Sequence, residues 1–316
     1  MKISAMIAPR FGGPEVLALI ESELPEPRAG EVLVDVRAAG TNPIDFKLFA
    51  GTYGADPSSL PISPGFEVAG VIRATGGDID GPSGRLRVGD EVIVYRANAG
   101  FASAVLATAA TVVPKPSGMS FPEASGLMLT GVTAVHALTV VHVTAGDTVL
   151  INGAAGGVGL MAVQLAVGDG ARVIGTASES QHSLLRDLGA EPVTYGEGLL
   201  ERVRALAPEG IDASLDLVGS DDAGEVSFAL VKDRDRVVTI VASGHAKVLG
   251  AKAIGGGAGS DPGTEIRNAG RFELLRRVEA GTLKVFVERS YPLADASAAL
   301  KELQSAHAHG KIVLIP

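Results

Sequence analysis

The stretch that most constrains the fold is Gly153-Ala154-Ala155-Gly156-Gly157-Val158-Gly159. It stands between the apolar strand candidate Thr148-Val149-Leu150-Ile151 and a segment, Gly157 to Val167, whose apolar residues recur at helical spacing. A strand that turns through glycines into a helix lets an anionic group come close to the backbone, and the helix N-terminus offers it free N–H groups. Side chains at Gly156 or Gly157 would obstruct a diphosphate, whereas Gly159 lets the helix pack closely. The usual dinucleotide fingerprint has glycine where this chain has Ala154, so the pattern reads A-x-G-x-x-G. No Gly-Lys-Ser/Thr follows, which argues against a phosphate loop of the ATPase type. Ala154, Ala155, Gly156, Gly157, Val158 and Gly159 are therefore candidate cofactor-binding residues.

The rhythm of strand, helix and strand continues beyond this loop. Arg172 to Thr176 reads as a strand, Ser180 to Leu188 as a helix ending at Gly189, and Asp212 to Val218 and Arg236 to Val241 as further strands. Apolar strands alternating with helices predict a doubly wound parallel sheet, an α/β Rossmann-type domain. Before Pro114-Lys115-Pro116 the texture differs. Short runs such as Glu31 to Val36, Val68 to Ile72 and Asp90 to Tyr95 are separated by turns such as Gly76-Gly77-Asp78, which suggests a β-rich, partly closed antiparallel barrel. After Gly255-Gly256-Gly257 come a helix (Phe272 to Ala280), a strand (Val285 to Val287), a helix (Asp295 to Ala306) and a strand (Lys311 to Ile315). The expected division is 1–119 completed by 259–316, with 120–258 as the parallel-sheet domain.

Composition removes several function classes. Of 316 residues 46% are hydrophobic and 20% charged, so wholesale disorder is excluded. A formal net charge of −9 argues against broad binding to nucleic acid or an anionic membrane. With no cysteine there is no disulfide, thiolate nucleophile, iron–sulfur cluster or sulfur-ligated zinc. The opening apolar run ends at Pro9-Arg10, too short for a signal peptide, and no apolar stretch is long enough to span a bilayer. A cytoplasmic location is the expectation.

The strand after the glycine loop ends in Thr176-Ala177-Ser178-Glu179. A cofactor with a free ribose 2′-hydroxyl usually wants a carboxylate at that strand end. Small hydroxyl residues stand there instead, and Ser178, Ser180 and His182 could donate to a 2′-phosphate. Glu179 and the lack of Lys or Arg in the loop pull the other way. NADPH is favoured over NADH. Val218-Gly219 and Val241-Ala242-Ser243 end later strands, where ligands of parallel sheets bind.

Gly146-Asp147-Thr148-Val149-Leu150, the glycine loop and Gln164 together resemble the quinone oxidoreductase branch of the medium-chain dehydrogenase/reductase superfamily. So do Gly12-Gly13-Pro14-Glu15-Val16-Leu17, Ala39 to Asp45, Pro64-Gly65-Phe66-Glu67, Val88-Gly89-Asp90, Gly131-Val132-Thr133-Ala134 and Gly310-Lys311-Ile312-Val313-Leu314. This resemblance implies a GroES-like N-terminal domain, a Rossmann domain and a cleft between them where NADPH meets substrate. It also implies that Asn42 and Thr133 lie near the nicotinamide and Tyr195 near the adenosine phosphate. Asn42 is a candidate catalytic residue because an amide orients a carbonyl without titrating. Asp45 braces that loop or is a local turn residue; Tyr53 supplies a phenolic proton or is a packing aromatic. The zinc-dependent relatives carry Gly-His-Glu where this chain has Gly65-Phe66-Glu67, so no metal is expected, and Glu67 reads as a packing carboxylate. His307 and His309 read as surface histidines.

These readings imply hydride transfer from NADPH to a small hydrophobic quinone or α,β-unsaturated carbonyl, without zinc. A conjugated acceptor delocalises the developing charge that zinc would otherwise stabilise. The alternatives are a nucleotide-binding redox sensor or crystallin-like structural protein with little turnover, and an enoyl-thioester reductase. A homodimer is expected through an edge strand within Lys247 to Ile254.

Overall fold

The computed structural model describes residues 1–241, 244–305 and 309–316. Two compact units divide it: residues 1–129 with 285–316, and residues 130–284.

The first unit opens with β1 (Lys2–Ile7) and β2 (Ala18–Glu23), an antiparallel ribbon. Then follow β3 (Glu31–Gly40), α1 (Pro43–Phe49) and β4 (Glu67–Thr75). A short hairpin, β5 (Asp80–Gly81) and β6 (Gly84–Arg85), precedes β7 (Glu91–Tyr95), β8 (Ala104–Thr108), β9 (Val112–Pro114) and α2 (Phe121–Ser125). β3 is the spine. It pairs antiparallel with β4 along most of its length and with β8 over Glu31–Asp35. Its residues Val32, Leu33, Val34, Val36 and Ala39 enter one core with Val68, Ile72, Val92 and Phe101. Glycine is required where β4 passes its neighbour β3: a Cβ on Gly70 would lie 2.0 Å from the Asp35 carbonyl oxygen.

The helix α3 (Met128–Val140) leads into the second unit. There β10 (Thr148–Asn152), α4 (Gly157–Gly168), β11 (Arg172–Thr176), α5 (His182–Asp187) and β12 (Glu191–Val193) come first. They are followed by α6 (Leu199–Leu206), β13 (Ala213–Asp216), α7 (Asp221–Leu230), β14 (Val237–Thr239), α8 (His245–Val248), β15 (Lys252–Ala253) and α9 (Thr264–Glu279). The six strands are parallel in the order β12-β11-β10-β13-β14-β15. This is the doubly wound arrangement with its order reversing beside β10, where ligands of such sheets bind. Leu150, Ile174 and Val237 from the strands pack with Val203, Val226 and Leu230 from the helices.

The chain returns to the first unit through β16 (Val287–Pro292), α10 (Ala296–Gln304) and β17 (Lys311–Ile315). β17 runs parallel to β16 and antiparallel to β3, with Val313 opposite Gly40. The unit boundaries differ from those expected. α9 begins at Thr264 rather than Phe272, after Gly263 in the left-handed region, and it packs on α3. A Cβ on Gly131 would lie 2.5 Å from Leu274 Cδ1, and one on Gly270 3.2 Å from Val135. That contact assigns α9 to the parallel-sheet unit. The expected strand Val285–Val287 forms two residues later, and Val248, expected on an edge strand, ends the short helix α8. Among the described residues no helix is long and apolar enough to cross a membrane.

Candidate active site

The glycine loop is built as a clamp. Gly153 adopts φ +81°, and its N–H donates to Thr176 Oγ1 at 2.9 Å while the Ala154 N–H donates to the Thr176 carbonyl at 2.9 Å. Thr176 therefore holds the loop from β11. A Cβ on Gly175 would lie 2.7 Å from Ala154 Cβ, and one on Gly159 only 2.2 Å from the Gly153 oxygen. Both glycines are demanded by close packing. Gly156 is different: its φ is −77°, and a Cβ there would meet only the Gly153 oxygen, at 3.5 Å. The protein itself has room for a side chain at Gly156. Gly156 is also the N-cap of the twelve-residue α4, and no side chain caps that helix. The first-turn N–H groups of α4 and its positive end thus lie beside a position kept clear, which suits a diphosphate.

The neighbouring strand ends close around this loop. Asp216 Oδ1 accepts from Val218 N–H (3.1 Å) and Gly219 N–H (2.8 Å), while Oδ2 accepts from Thr239 Oγ1 at 2.9 Å. Thr239 Oγ1 in turn accepts from Val241 N–H at 3.1 Å. Asp216 is fully buried and fixes the turn that the sequence marked only as Val218-Gly219. A Cβ on Gly153 would be 2.7 Å from Val218 Cγ2, and one on Gly219 2.7 Å from Val241 Cγ1. The candidates Ala154 to Gly159, Thr176, Val218, Gly219 and Val241 therefore gather at the C-terminal ends of β10, β11, β13 and β14. Ala242, like Ser243 and His307, lies outside the described residues.

At the next strand ends, Ser178 Oγ and Ser180 Oγ are 3.1 Å apart, and the buried His182 Nε2 has no hydrogen-bond partner among the described residues. Tyr195 follows β12 with 60% of its surface exposed. Its loop is gripped by Arg202, which the sequence reading did not single out. The guanidinium donates to the carbonyls of Thr194 (2.8 Å), Tyr195 (3.3 Å), Gly196 (3.2 Å) and Glu197 (2.7 Å). Its only advance signal is an arginine seven residues beyond Tyr195.

In the first unit, Asn42 and Asp45 belong to a buried polar group with Glu67 and Lys311. Asp45 Oδ2 accepts from the Asn42 N–H at 2.7 Å and Oδ1 from the Gly65 N–H at 2.8 Å. Burial pushes the Asp45 carboxyl up to about 7, against these two hydrogen bonds and the pull of Lys311. Asn42 Nδ2 donates to Glu67 Oε1 at 3.0 Å, and Glu67 Oε2 accepts from Leu129 N–H at 2.8 Å. Lys311 Nζ lies 2.9 Å from Glu67 Oε1. Tyr53 stands outside this group, 46% exposed, with its phenol raised by partial burial.

In the second unit, Thr133 on α3 accepts at Oγ1 from Arg267 Nη1 at 3.1 Å, and Arg267 Nε donates to His136 Nδ1 at 3.2 Å. His136 Nε2 lies 3.1 Å from Asp261 Oδ2. Burial lowers the His136 pKa, so the ring is neutral, and an acceptor Nδ1 leaves its proton on Nε2 for Asp261. A Cβ on Gly263 would fall 2.1 Å from His136 Cε1. The Gly/Ala-rich segment before α9 thus closes over a buried histidine, which its composition did not reveal.

The donor set does not fit zinc. The chain has no cysteine, Phe66 stands beside Glu67, and both Glu67 oxygens are engaged by Asn42, Lys311 and Leu129. Among the described residues there is no group of three His, Cys, Asp or Glu able to hold a metal ion.

Residues 28–145 match the family described as alcohol dehydrogenase GroES-like domain, and residues 188–314 the family described as zinc-binding dehydrogenase. The quinone oxidoreductase of Sus scrofa is 30% identical over 330 residues, covering 99% of this chain and 98% of its own. The chloroplastic NADPH-dependent alkenal/one oxidoreductase of Arabidopsis thaliana is 30% identical over 335 residues, covering 100% and 80% respectively. Among solved structures, a mycobacterial protein complexed with NADPH superposes with a TM-score of 0.85 at 30% identity, covering 99% of this chain and 100% of that one.

Proposed function

The chain belongs to the quinone oxidoreductase branch of the medium-chain dehydrogenase/reductase superfamily, and from that premise we propose that it is an NADPH-dependent, zinc-independent oxidoreductase reducing quinones or α,β-unsaturated carbonyls. The observation that carries this reading is the uncapped start of α4 beside Gly156, a glycine that neither backbone conformation nor packing requires. Bound there, NADPH would supply the hydride. The chain's own work is positional: the first-turn amides of α4 bind phosphoryl oxygens, and Thr176 and Asp216 hold the strand-end turns in shape. Ser178, Ser180 and His182 would donate to a 2′-phosphate, and Tyr195, on the loop that Arg202 holds, is assigned to the adenosine phosphate by the resemblance. The resemblance gives Asn42 and Thr133 to the nicotinamide, with Asp45 bracing Asn42. Tyr53 or water supplies the proton.

A cytoplasmic homodimer completes the proposal. The dimer rests on the resemblance alone, since the outward Ala253 carbonyl of the edge strand β15 and the Gly255 N–H beyond it already bond to Asp261 of the same chain; light scattering giving a monomer would refute it. The activity is tested by mixing the protein with NADPH and 1,2-naphthoquinone or an enone. Absorbance at the reduced-nicotinamide band should fall only with the protein present. No loss with any conjugated acceptor contradicts the reading.

A further inference from the structure

We propose that the buried Lys311–Glu67 pair is a positioning device that holds the Asn42 carboxamide in one orientation and, through it, sets the rate of hydride transfer. The second half rests on the function proposed above. Lys311 Nζ has three hydrogens and three acceptors: the Thr41 carbonyl (2.8 Å), Asn42 Oδ1 (2.7 Å) and Glu67 Oε1 (2.9 Å). The ammonium is saturated. The two Asn42 Nδ2 hydrogens go to Glu67 Oε1 (3.0 Å) and the Gly40 carbonyl (3.3 Å).

A flipped amide would turn its NH2 toward an ammonium and its oxygen toward a carboxylate and a carbonyl. Charge thus dictates a single orientation. The backbone of Asn42 is fixed separately, through Asp45. Lys311 stands 269 positions away in sequence, on the last strand, and Glu67 opens β4. Two strands of the same sheet therefore converge on one side chain. A buried ion pair contributes little net stability compared with well-packed apolar residues, so orientation of Asn42 supplies a reason for its presence that stability does not.

Selective 15N labelling of asparagine gives four side-chain amides: Asn42, Asn98, Asn152 and Asn268. In the unaltered protein the Asn42 amide hydrogens should exchange with water far more slowly than those of exposed Asn98; equal rates overturn the proposal without any variant. The charge-balanced double substitution Lys311→Met with Glu67→Gln avoids leaving one buried charge alone. It should remove the protection of Asn42 and lower kcat by about tenfold to a hundredfold, with the KM for NADPH within about twofold. Adding Asn42→Ala to that variant should cost no further kcat, because the pair acts through Asn42. Unchanged protection in the double variant overturns the positioning role. Lost protection with unchanged kcat, or a further kcat loss on adding Asn42→Ala, overturns its link to rate. Should the unaltered protein turn over no conjugated acceptor, the proposed function fails while amide exchange still decides whether the pair orients Asn42.

Discussion

Replacing Gly156 and Gly159 separately with alanine tests whether the glycine loop is shaped for a ligand or only for folding. At Gly159 the new methyl would lie 2.2 Å from the Gly153 oxygen and 2.6 Å from the Ala154 carbonyl carbon and oxygen. These are backbone atoms in a turn tied to Thr176, so they yield little. Overpacking of this kind costs roughly 1–3 kcal/mol, which lowers Tm by about 3–10 °C in a domain of this size. At Gly156 the nearest atom is 3.5 Å away and φ is already −77°. There the entropic gain of Gly→Ala, about 0.4–1 kcal/mol, is offset by a poorer N-cap worth a similar amount, so Tm should move by no more than about 2 °C. Cofactor affinity should reverse the order of severity. With NADPH bound as proposed, a methyl at Gly156 would face the phosphoryl groups and should weaken NADPH binding by about tenfold to a hundredfold, or about 1.4–2.7 kcal/mol. Fluorescence titration with NADPH and thermal unfolding read the two effects apart. Normal affinity in Gly156→Ala would show that no ligand approaches that glycine, and normal Tm in Gly159→Ala would show that close packing does not require glycine there.

Three further outcomes are expected. Lys311→Met alone strands the Glu67 carboxylate in the core and should cost about 3–5 kcal/mol in urea denaturation; a loss under about 1 kcal/mol contradicts burial of the pair. The Asp45 carboxyl sits at about 7 when folded, against an ordinary 3.8, so the unfolded chain binds fewer protons between those values. Its contribution therefore favours folding most at low pH and is lost as pH rises from about 4 through about 7, on the order of 4 kcal/mol in total. Asp45→Asn should remove that slope from the urea midpoints; an unchanged slope refutes it. Arg202→Gln releases carbonyls of the Tyr195 loop and should cost about 1–2 kcal/mol locally, seen as faster hydrogen exchange over 194–198; unchanged exchange there would show the loop stands without the guanidinium.

Elements whose shape follows from local pattern were legible in the sequence. β11 and β17 fall on the expected residues, because a run such as Lys311-Ile312-Val313-Leu314-Ile315 has only a strand to form. The glycine loop was legible for the same reason: strand, glycines and helix are contiguous. α9 was legible only in its second half, since Thr264, Glu265, Arg267 and Asn268 look solvated until Arg267 is seen to turn inward to His136 and Thr133. The positions that hold candidate residues were the least legible. Arg202, Asp216 and Lys311 act on partners brought near by folding, and Lys311 meets Asn42 from 269 positions away. Glu67 read as a packing carboxylate because its partner charge lay on another strand.

The most direct measurement uses NADPH carrying deuterium at the transferring C4 position, with an enone as acceptor. The expected product is a saturated ketone bearing deuterium on the former β-carbon, its α-hydrogen drawn from solvent, with the label read by mass spectrometry. An unlabelled product, or no product from any enone while NADPH remains intact, would contradict hydride transfer from NADPH.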